Sequence, residues 1–410
     1  MRVVSETRLA EVLGRLPGVP RVVASGNHVA PLHALSVLDA AVPEYRLHML
    51  NAPVGIPDRE GVTYETSFVG PGMRGHPRLS YVPSRLSLVP ALLRDRLVPD
   101  VVVLHTTRPC GGTVSLGVEV NILPAAVEAV RARGGLVVAQ ANRQMPVTYG
   151  DAVLPLDAID LLLEVDEPLP AARVTEPDPV SAAIGERVAA LVPEQATLQT
   201  GIGAIPDATL SSLGGRQGLR IWSEMFSDGV LALDKAGCLD PETPITASFC
   251  FGSDELYDWV DANPRVRMLR TEKTNDPALI ARHPNVVSVN SALQVDLFAQ
   301  ANASRIGTRV HSGFGGQTDF IVGALHSPGG QAIIALRSWH RKADVSTVVP
   351  LLSGPVTSFQ HSAIVTEQGC ASVWGRDAVD QAQQLVDHAA HPDAREDLRE
   401  AGRILGLPLH

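Results

Sequence analysis

Two α/β domains with largely parallel sheets are predicted for this 410-residue chain. Short, wholly apolar runs alternate with helical patterns, a proline-rich break precedes the middle, and glycine turns follow two of the apolar runs. The runs Val101–Leu104, Leu136–Ala139, Val286–Val289 and Ala332–Leu336 are apolar on both faces. Strands covered on both faces by helices have that pattern. Helical periodicity lies between several of them, as over Leu123–Arg133. From Val165 to Ser181 four prolines and several charges make both helix and strand unfavourable, so this stretch is read as a linker. Val23–Leu35 and Leu198–Leu210 share one pattern of apolar strand, glycine turn, proline and amphipathic helix. Gly26 matches Gly201, Pro31 matches Pro206 and Leu35 matches Leu210. Each proline suits a first helical position, where no N–H is needed. The Ala- and charge-rich stretch from Asp377 to Leu405 is read as terminal helices.

Composition narrows the function classes. The apolar fraction of 45% suits packed globular domains. A net charge of −10 argues against nucleic acid as the main partner, because phosphate contacts need a basic surface. Cys110, Cys238, Cys250 and Cys370 have neither CxxC spacing nor paired histidines, so no metal site and no disulfide framework is indicated. The start of the chain has no apolar signal region, and no apolar run reaches membrane-spanning length; a cytoplasmic address is the default expectation.

Several motifs can carry chemistry. Gly201-Ile202-Gly203-Ala204-Ile205-Pro206 joins a strand to a helix start, and its exposed N–H groups suit a phosphate or carboxylate. Gly313-Phe314-Gly315-Gly316-Gln317 lets backbone approach a ligand without Cβ clashes, and its N–H groups can hold a thioester oxygen. Arg305 and Arg309, just upstream, suit phosphate oxygens. Glu367, beside a glycine in Thr366-Glu367-Gln368-Gly369, is a candidate general base or orienting acid. Glu224-Met225-Phe226-Ser227-Asp228-Gly229 also sets two acids near a turn, where a structural role is the simpler reading.

These motifs stand in an order that resembles the acetyl-CoA hydrolase/transferase family, the class I group that includes 4-hydroxybutyrate CoA-transferases. The first half contributes Phe68-Val69-Gly70-Pro71-Gly72-Met73-Arg74 and Met145-Pro146. The second contributes the Gly201 and Glu224 segments, Asn275-Asp276-Pro277, Asn290-Ser291-Ala292, Val295-Asp296-Leu297, Gly315-Gly316-Gln317 and Thr366-Glu367. The resemblance implies two related CoA-transferase-type domains, 1–175 and 176–410, with the active site at their interface. It also implies coenzyme A, carried as a short acyl-CoA substrate, a small-molecule acceptor and a homodimer. In the family's ping-pong reaction a glutamate forms an acyl anhydride and then a CoA thioester. Gly315 and Gly316 would flank the thioester oxygen, Gly201, Gly203, Gly313, Gln317 and Arg305 would hold the cofactor, and Asn290 would line the substrate pocket.

Two departures follow from the same comparison. Gln294 is read at the position of the family's catalytic glutamate, and an amide is a very poor nucleophile. Thr106 to Gly112 differs from the family's acceptor-side turn, which makes Arg108 and Cys110 candidates for a changed pocket. Three functions are therefore expected in turn. The first is direct attack on the thioester by a bound nucleophile, with Gln294 positioning it and Glu367 taking a proton. The second is conventional CoA transfer using another carboxylate. The third is acyl-CoA binding without catalysis.

Overall fold

The computed structural model describes residues 1–410 except Val174, Pro355 and Thr357. The chain divides into two compact units. One comprises residues 1–173, 245–274 and 310–315; the other comprises 174–244, 275–309 and 316–410.

The first unit is built on an eight-stranded sheet. Its strands are β1 (Arg2–Val3), β2 (Arg21–Ala24), β3 (Tyr45–His48), β4 (Val62–Thr66), β5 (Leu79–Tyr81), β6 (Val101–Thr106), β7 (Leu136–Asn142) and β8 (Leu161–Val165). They lie in the order β1-β8-β7-β6-β2-β3-β4-β5, all parallel. All six residues of β6 are buried, as its unbroken apolar start requires. The helix Leu123–Arg133 matches its predicted span. Proline sits in its first turn and Gly134 closes it at φ 77°, the left-handed stop that glycine accepts. Residues 245–274 belong to this unit because strand Val266–Met268 pairs with both Ile245–Ala247 and Tyr149–Gly150. The domain division expected at 175/176 is thus crossed twice by the later chain.

The second unit carries a six-stranded sheet of β9 (Thr197–Thr200), β10 (Arg220–Ile221), β11 (Val286–Asn290), β12 (Gln331–Ala335), β13 (Ala363–Thr366) and β14 (Gly369–Ser372). The order is β10-β9-β11-β12-β13-β14, parallel except for the last hairpin. The predicted linker is irregular over its described residues until helix Pro179–Leu191; Val174 lies outside the described residues. Terminal helices Ala378–Gln384 and Arg395–Ile404 form where the composition places them.

The two matched strand–turn–helix units exist, but their prolines differ from expectation. Pro31 is the N-cap of helix Leu32–Ala41, whereas Pro206 is the third residue of helix Ala204–Ser211. Both positions precede the first obligatory intrahelical N–H bond, so both tolerate proline. The turns differ in surroundings. A Cβ on Gly26 would lie 2.0 Å from the Leu50 carbonyl oxygen, while Gly201 and Gly203 face open space. Among the described residues no helix is long and apolar enough to cross a membrane.

Candidate active site

Within the second unit, three distant segments converge on one carboxyl group. Glu224 follows β10. The Trp222 N–H donates to Leu198 O at 3.1 Å, and the Ser223 hydroxyl donates to Thr200 O at 3.1 Å, which fastens the segment to the end of β9. Asn275 is fully buried just before helix Pro277–Ile280, whose cap is Asp276. Gly316 caps helix Gln317–His326 with no side-chain hydrogen bond. One small cluster holds the segments together: Ile280, Val286, Phe320 and Ala324 pack with Trp222 against them. The approach is close because Gly323 lacks a side chain; a Cβ there would stand 2.6 Å from Ile280 Cβ. Burying side chains such as Phe320 and Ile280 contributes about 1.5–3 kcal/mol each.

The Asn275 amide donates to Glu224 Oε2 at 3.1 Å. A Cβ on Gly316 would lie 2.0 Å from that oxygen and 2.3 Å from Asn275 Nδ2, so only glycine fits. Burial pushes the Glu224 carboxyl up. The Asn275 hydrogen bond opposes this, and the nearby Asp319 charge adds to it, leaving the pKa raised to about 7. Glu224 nevertheless keeps part of its surface accessible. A carboxylate so held is poorly solvated, accessible on one side and close to the positive end of a helix. It is equipped to attack an electrophilic carbonyl, and the helix N–H groups and the Asn275 amide can receive the developing oxyanion.

The residues singled out in the sequence are distributed differently. Gln294 opens the short strand Gln294–Asp296, paired with Asn302, and its amide makes no hydrogen bond to a described residue. The side chains that meet Gly316 are Glu224 and Asn275, not Gln294. Glu367 occupies the β13–β14 turn. It accepts the Ser338 hydroxyl at 2.5 Å and the Ser338 N–H at 3.0 Å. Burial pushes its pKa up, but these bonds from Ser338 outweigh burial and hold it below the usual value. Glu367 therefore orients the segment after β12 and is ill suited to take a proton.

Asn290 is tied to Gln199 and Ser288 at the end of β11. The Arg305 guanidinium donates to Thr308 O at 2.9 Å, which ties it to its own turn while its charge and its other donors persist. In the first unit Gly313 and Gly315 serve packing. A Cβ would meet Ser67 O at 2.5 Å and the Phe68 ring at 2.9 Å respectively, and Gly315 O accepts the Leu86 N–H. Only Gly316 of the glycine run stands against a reactive group. Gln317 keeps a buried Nε2 with no hydrogen-bond partner among the described residues. Arg108 and Cys110 are exposed on a tight turn closed by reciprocal Cys110–Thr113 backbone bonds. Gly201 and Gly203 front open space before helix Ala204–Ser211. Sequence reasoning passed over Asn275 and Asp319 as site residues. Asn275 lies in a motif already noted and Asp319 two residues beyond the glycine run, but their burial beside Glu224 is a tertiary fact.

A buried, elevated carboxyl facing a glycine at a helix start is an arrangement that can support acyl transfer. Residues 252–402 match the acetyl-CoA hydrolase/transferase C-terminal domain. The chain is 39% identical over 333 residues to 4-hydroxybutyrate coenzyme A transferase of Clostridium kluyveri, covering 78% of this chain and 76% of that protein. It is 36% identical over 379 residues to the succinyl-CoA:acetate/propanoyl-CoA:succinate CoA transferase of Fasciola hepatica, covering 87% and 78%. Among solved structures, the 4-hydroxybutyrate CoA-transferase of Porphyromonas gingivalis superposes with a TM-score of 0.82 at 31% identity over 98% of each chain. RipA from Yersinia pestis gives 0.91 at 26% identity over 99% of this chain and 98% of that one. The chain belongs to the acetyl-CoA hydrolase/CoA-transferase family. It is an enzyme acting on an acyl-CoA thioester.

Proposed function

We propose that the protein is a conventional CoA-transferase, moving CoA between a short acyl-CoA and a carboxylate acceptor, with Glu224 as nucleophile. The observation that carries this is the Glu224 carboxyl, raised to about 7 and pressed against Gly316 beside the Asn275 amide. It makes the substitution at position 294 irrelevant to nucleophilic attack. Direct attack by a bound nucleophile, with Glu367 as base, loses its support because Glu367 is locked by Ser338.

The reaction then runs in balanced steps. The Glu224 carboxylate attacks the thioester carbonyl carbon, and the C–S bond breaks to give an acyl-glutamyl anhydride and CoA thiolate. The thiolate attacks the glutamyl carbonyl carbon, and the departing acid leaves as a carboxylate. A glutamyl-CoA thioester remains. An acceptor carboxylate reverses both steps and restores Glu224. Asn275 and the N–H groups at the start of helix Gln317–His326 stabilise each oxyanion. Coenzyme A, as a substrate carrier, is the group the site accommodates, and this chemistry needs no metal.

Initial rates with acetyl-CoA and a short carboxylate test the proposal. Parallel double-reciprocal lines, with exchange of label between acyl-CoA and its free acid in the absence of acceptor, are expected. Intersecting lines without exchange would return the mechanism to direct attack.

A further inference from the structure

The carboxyl end of β2 in the first unit sits where that sheet changes direction. The chain leaves β2 for β3 on one side, and β6 lies on the other. One imidazole ties this place together. His105, next to last in β6, is 5% exposed. Its Nδ1 lies 2.8 Å from Val29 O, in the turn after β2, and its backbone N–H donates to Ser25 Oγ at 3.1 Å. Its Nε2 meets two amide nitrogens at the end of β7, Gln140 Nε2 at 3.3 Å and Asn142 Nδ2 at 3.2 Å.

These partners leave the ring one state. A carbonyl oxygen only accepts, so Nδ1 carries the proton and Nε2 accepts from the two amides. Neither amide is free to turn over. Gln140 Oε1 accepts the Ala34 N–H at 2.9 Å, one of the open donors in the first turn of helix Leu32–Ala41, whose N-cap Pro31 makes no side-chain cap. Asn142 Oδ1 accepts the N–H groups of Gln144 and Glu167, and its Nδ2 also donates to Glu167 O. A second proton on the ring would therefore point at two NH2 groups. An amide flip to receive it would strip a backbone N–H of its acceptor. Burial acts in the same direction and lowers the His105 pKa to about 4, with the Val29 bond opposing. The titratable groups on the surrounding elements are few. His28 shares the turn, and burial lowers its pKa too. Glu119 accepts from Asn27 in that turn. His33 on the helix lies between Glu6 and Glu167, and β8 carries Glu164.

We propose that His105 is an acid-operated latch within the first unit: neutral, it clamps the turn after β2 and the start of helix Leu32–Ala41 to β7; protonated, it sets donor against donor and releases them. Open α/β sheets bind ligands at such a point, so the segment released is the one this sheet would present to a ligand. The sign follows from the folded pKa lying below the ordinary 6.5. The clamp is at full strength above about 6.5 and weakens as pH falls toward about 4. The inference does not depend on Glu224 as nucleophile.

Hydrogen–deuterium exchange on the full chain tests it, read by mass spectrometry and corrected for intrinsic exchange rates. Between pH 7.5 and pH 5.0 the opening of peptides covering residues 25–38 should rise about thirtyfold in the wild type, the ratio set by pKa values of about 4 folded and 6.5 released. Peptides from helix Gln317–His326 in the second unit serve as the reference. His105→Asn keeps a donor for Val29 O but does not titrate, so the rise should shrink to within about threefold. Gln140→Glu keeps an acceptor for Ala34 and offers a carboxylate oxygen to a protonated Nε2, so there the rise should disappear. It carries the same test should His105→Asn fail to fold. His28→Asn should retain the wild-type rise. A wild-type rise no larger than that of the reference peptides would overturn the latch, as would a rise that His105→Asn or Gln140→Glu leaves intact. Loss of the rise in His28→Asn would also overturn it, by assigning the response to that ring.

Discussion

Glu224 and Glu367 are the same residue type in the same unit, and their surroundings drive them in opposite directions. Burial raises both. Glu367 receives a hydroxyl and a backbone N–H from Ser338, which over-compensate and fix it as an anion. Glu224 receives one amide, from Asn275, and has the Asp319 charge nearby, so its pKa stays at about 7. A carboxylate saturated with donors is a strut. One that is short of them, with a face still accessible, retains the basicity that a nucleophile needs.

The contrast can be broken most severely at its active member. Glu224→Gln should lower turnover by about a thousandfold or more, as loss of a covalent nucleophile does, while CoA still binds. Next is Gly316→Val. A Cβ there enters the space of Glu224 Oε2 and Asn275 Nδ2, and kcat should fall by about a hundredfold in steady-state assays of a folded variant. Asn275→Ala should cost about ten- to a hundredfold in kcat, as loss of an oxyanion donor, and should raise the acid limb of the pH–rate profile by removing the bond that favours the charged form. Glu367→Gln should change kcat only a few-fold. Its main effect should be on stability, about 1–3 kcal/mol, read as a lower denaturation midpoint, because Ser338 loses a charged partner. Gln294→Glu should change turnover least, within about twofold, whereas a site at 294 would make that substitution the largest gain.

The pH dependence sharpens the same comparison. Glu224 must be ionised to attack, so kcat/KM should fall below an apparent pKa near 7. Its folded pKa lies above its ordinary 4.5, so its contribution to stability is fully present below the ordinary value and is lost as pH rises through about 7. Glu224→Gln abolishes that loss, and the melting temperature of the variant relative to wild type should therefore be higher at pH 8 than at pH 5. Glu367 has the opposite sign: its folded pKa is depressed, so its contribution is present at neutral pH and is lost on acidification.

Much of the architecture is legible in the chain. The apolar runs at 101, 136, 286 and 332 each became a central parallel strand, because a strand covered on both faces leaves an unbroken apolar signature. The Glu224, Asn275 and Gly316 motifs were all visible as well. What local pattern does not reveal is which carboxyl is buried against which glycine. That depends on Trp222, Ile280 and Phe320 meeting in one cluster, a matter of tertiary packing. Position 294 drew attention by its departure from a family pattern, yet it ends up in a peripheral three-strand ladder. Arg305 looked like a free cation beside a glycine run because sequence does not show that its guanidinium closes its own turn. The return of residues 245–274 to the first unit rests on three short strands pairing out of chain order, which no linker composition announces.

The most direct test is peptide-level mass spectrometry of the wild-type enzyme after brief incubation with acetyl-CoA and no acceptor. The account predicts a CoA or acetyl adduct mapped to Glu224 and absent from Glu224→Gln. An adduct on Glu367 or Cys110 would contradict it, as would rapid CoA release with Glu224 unmodified at every time point.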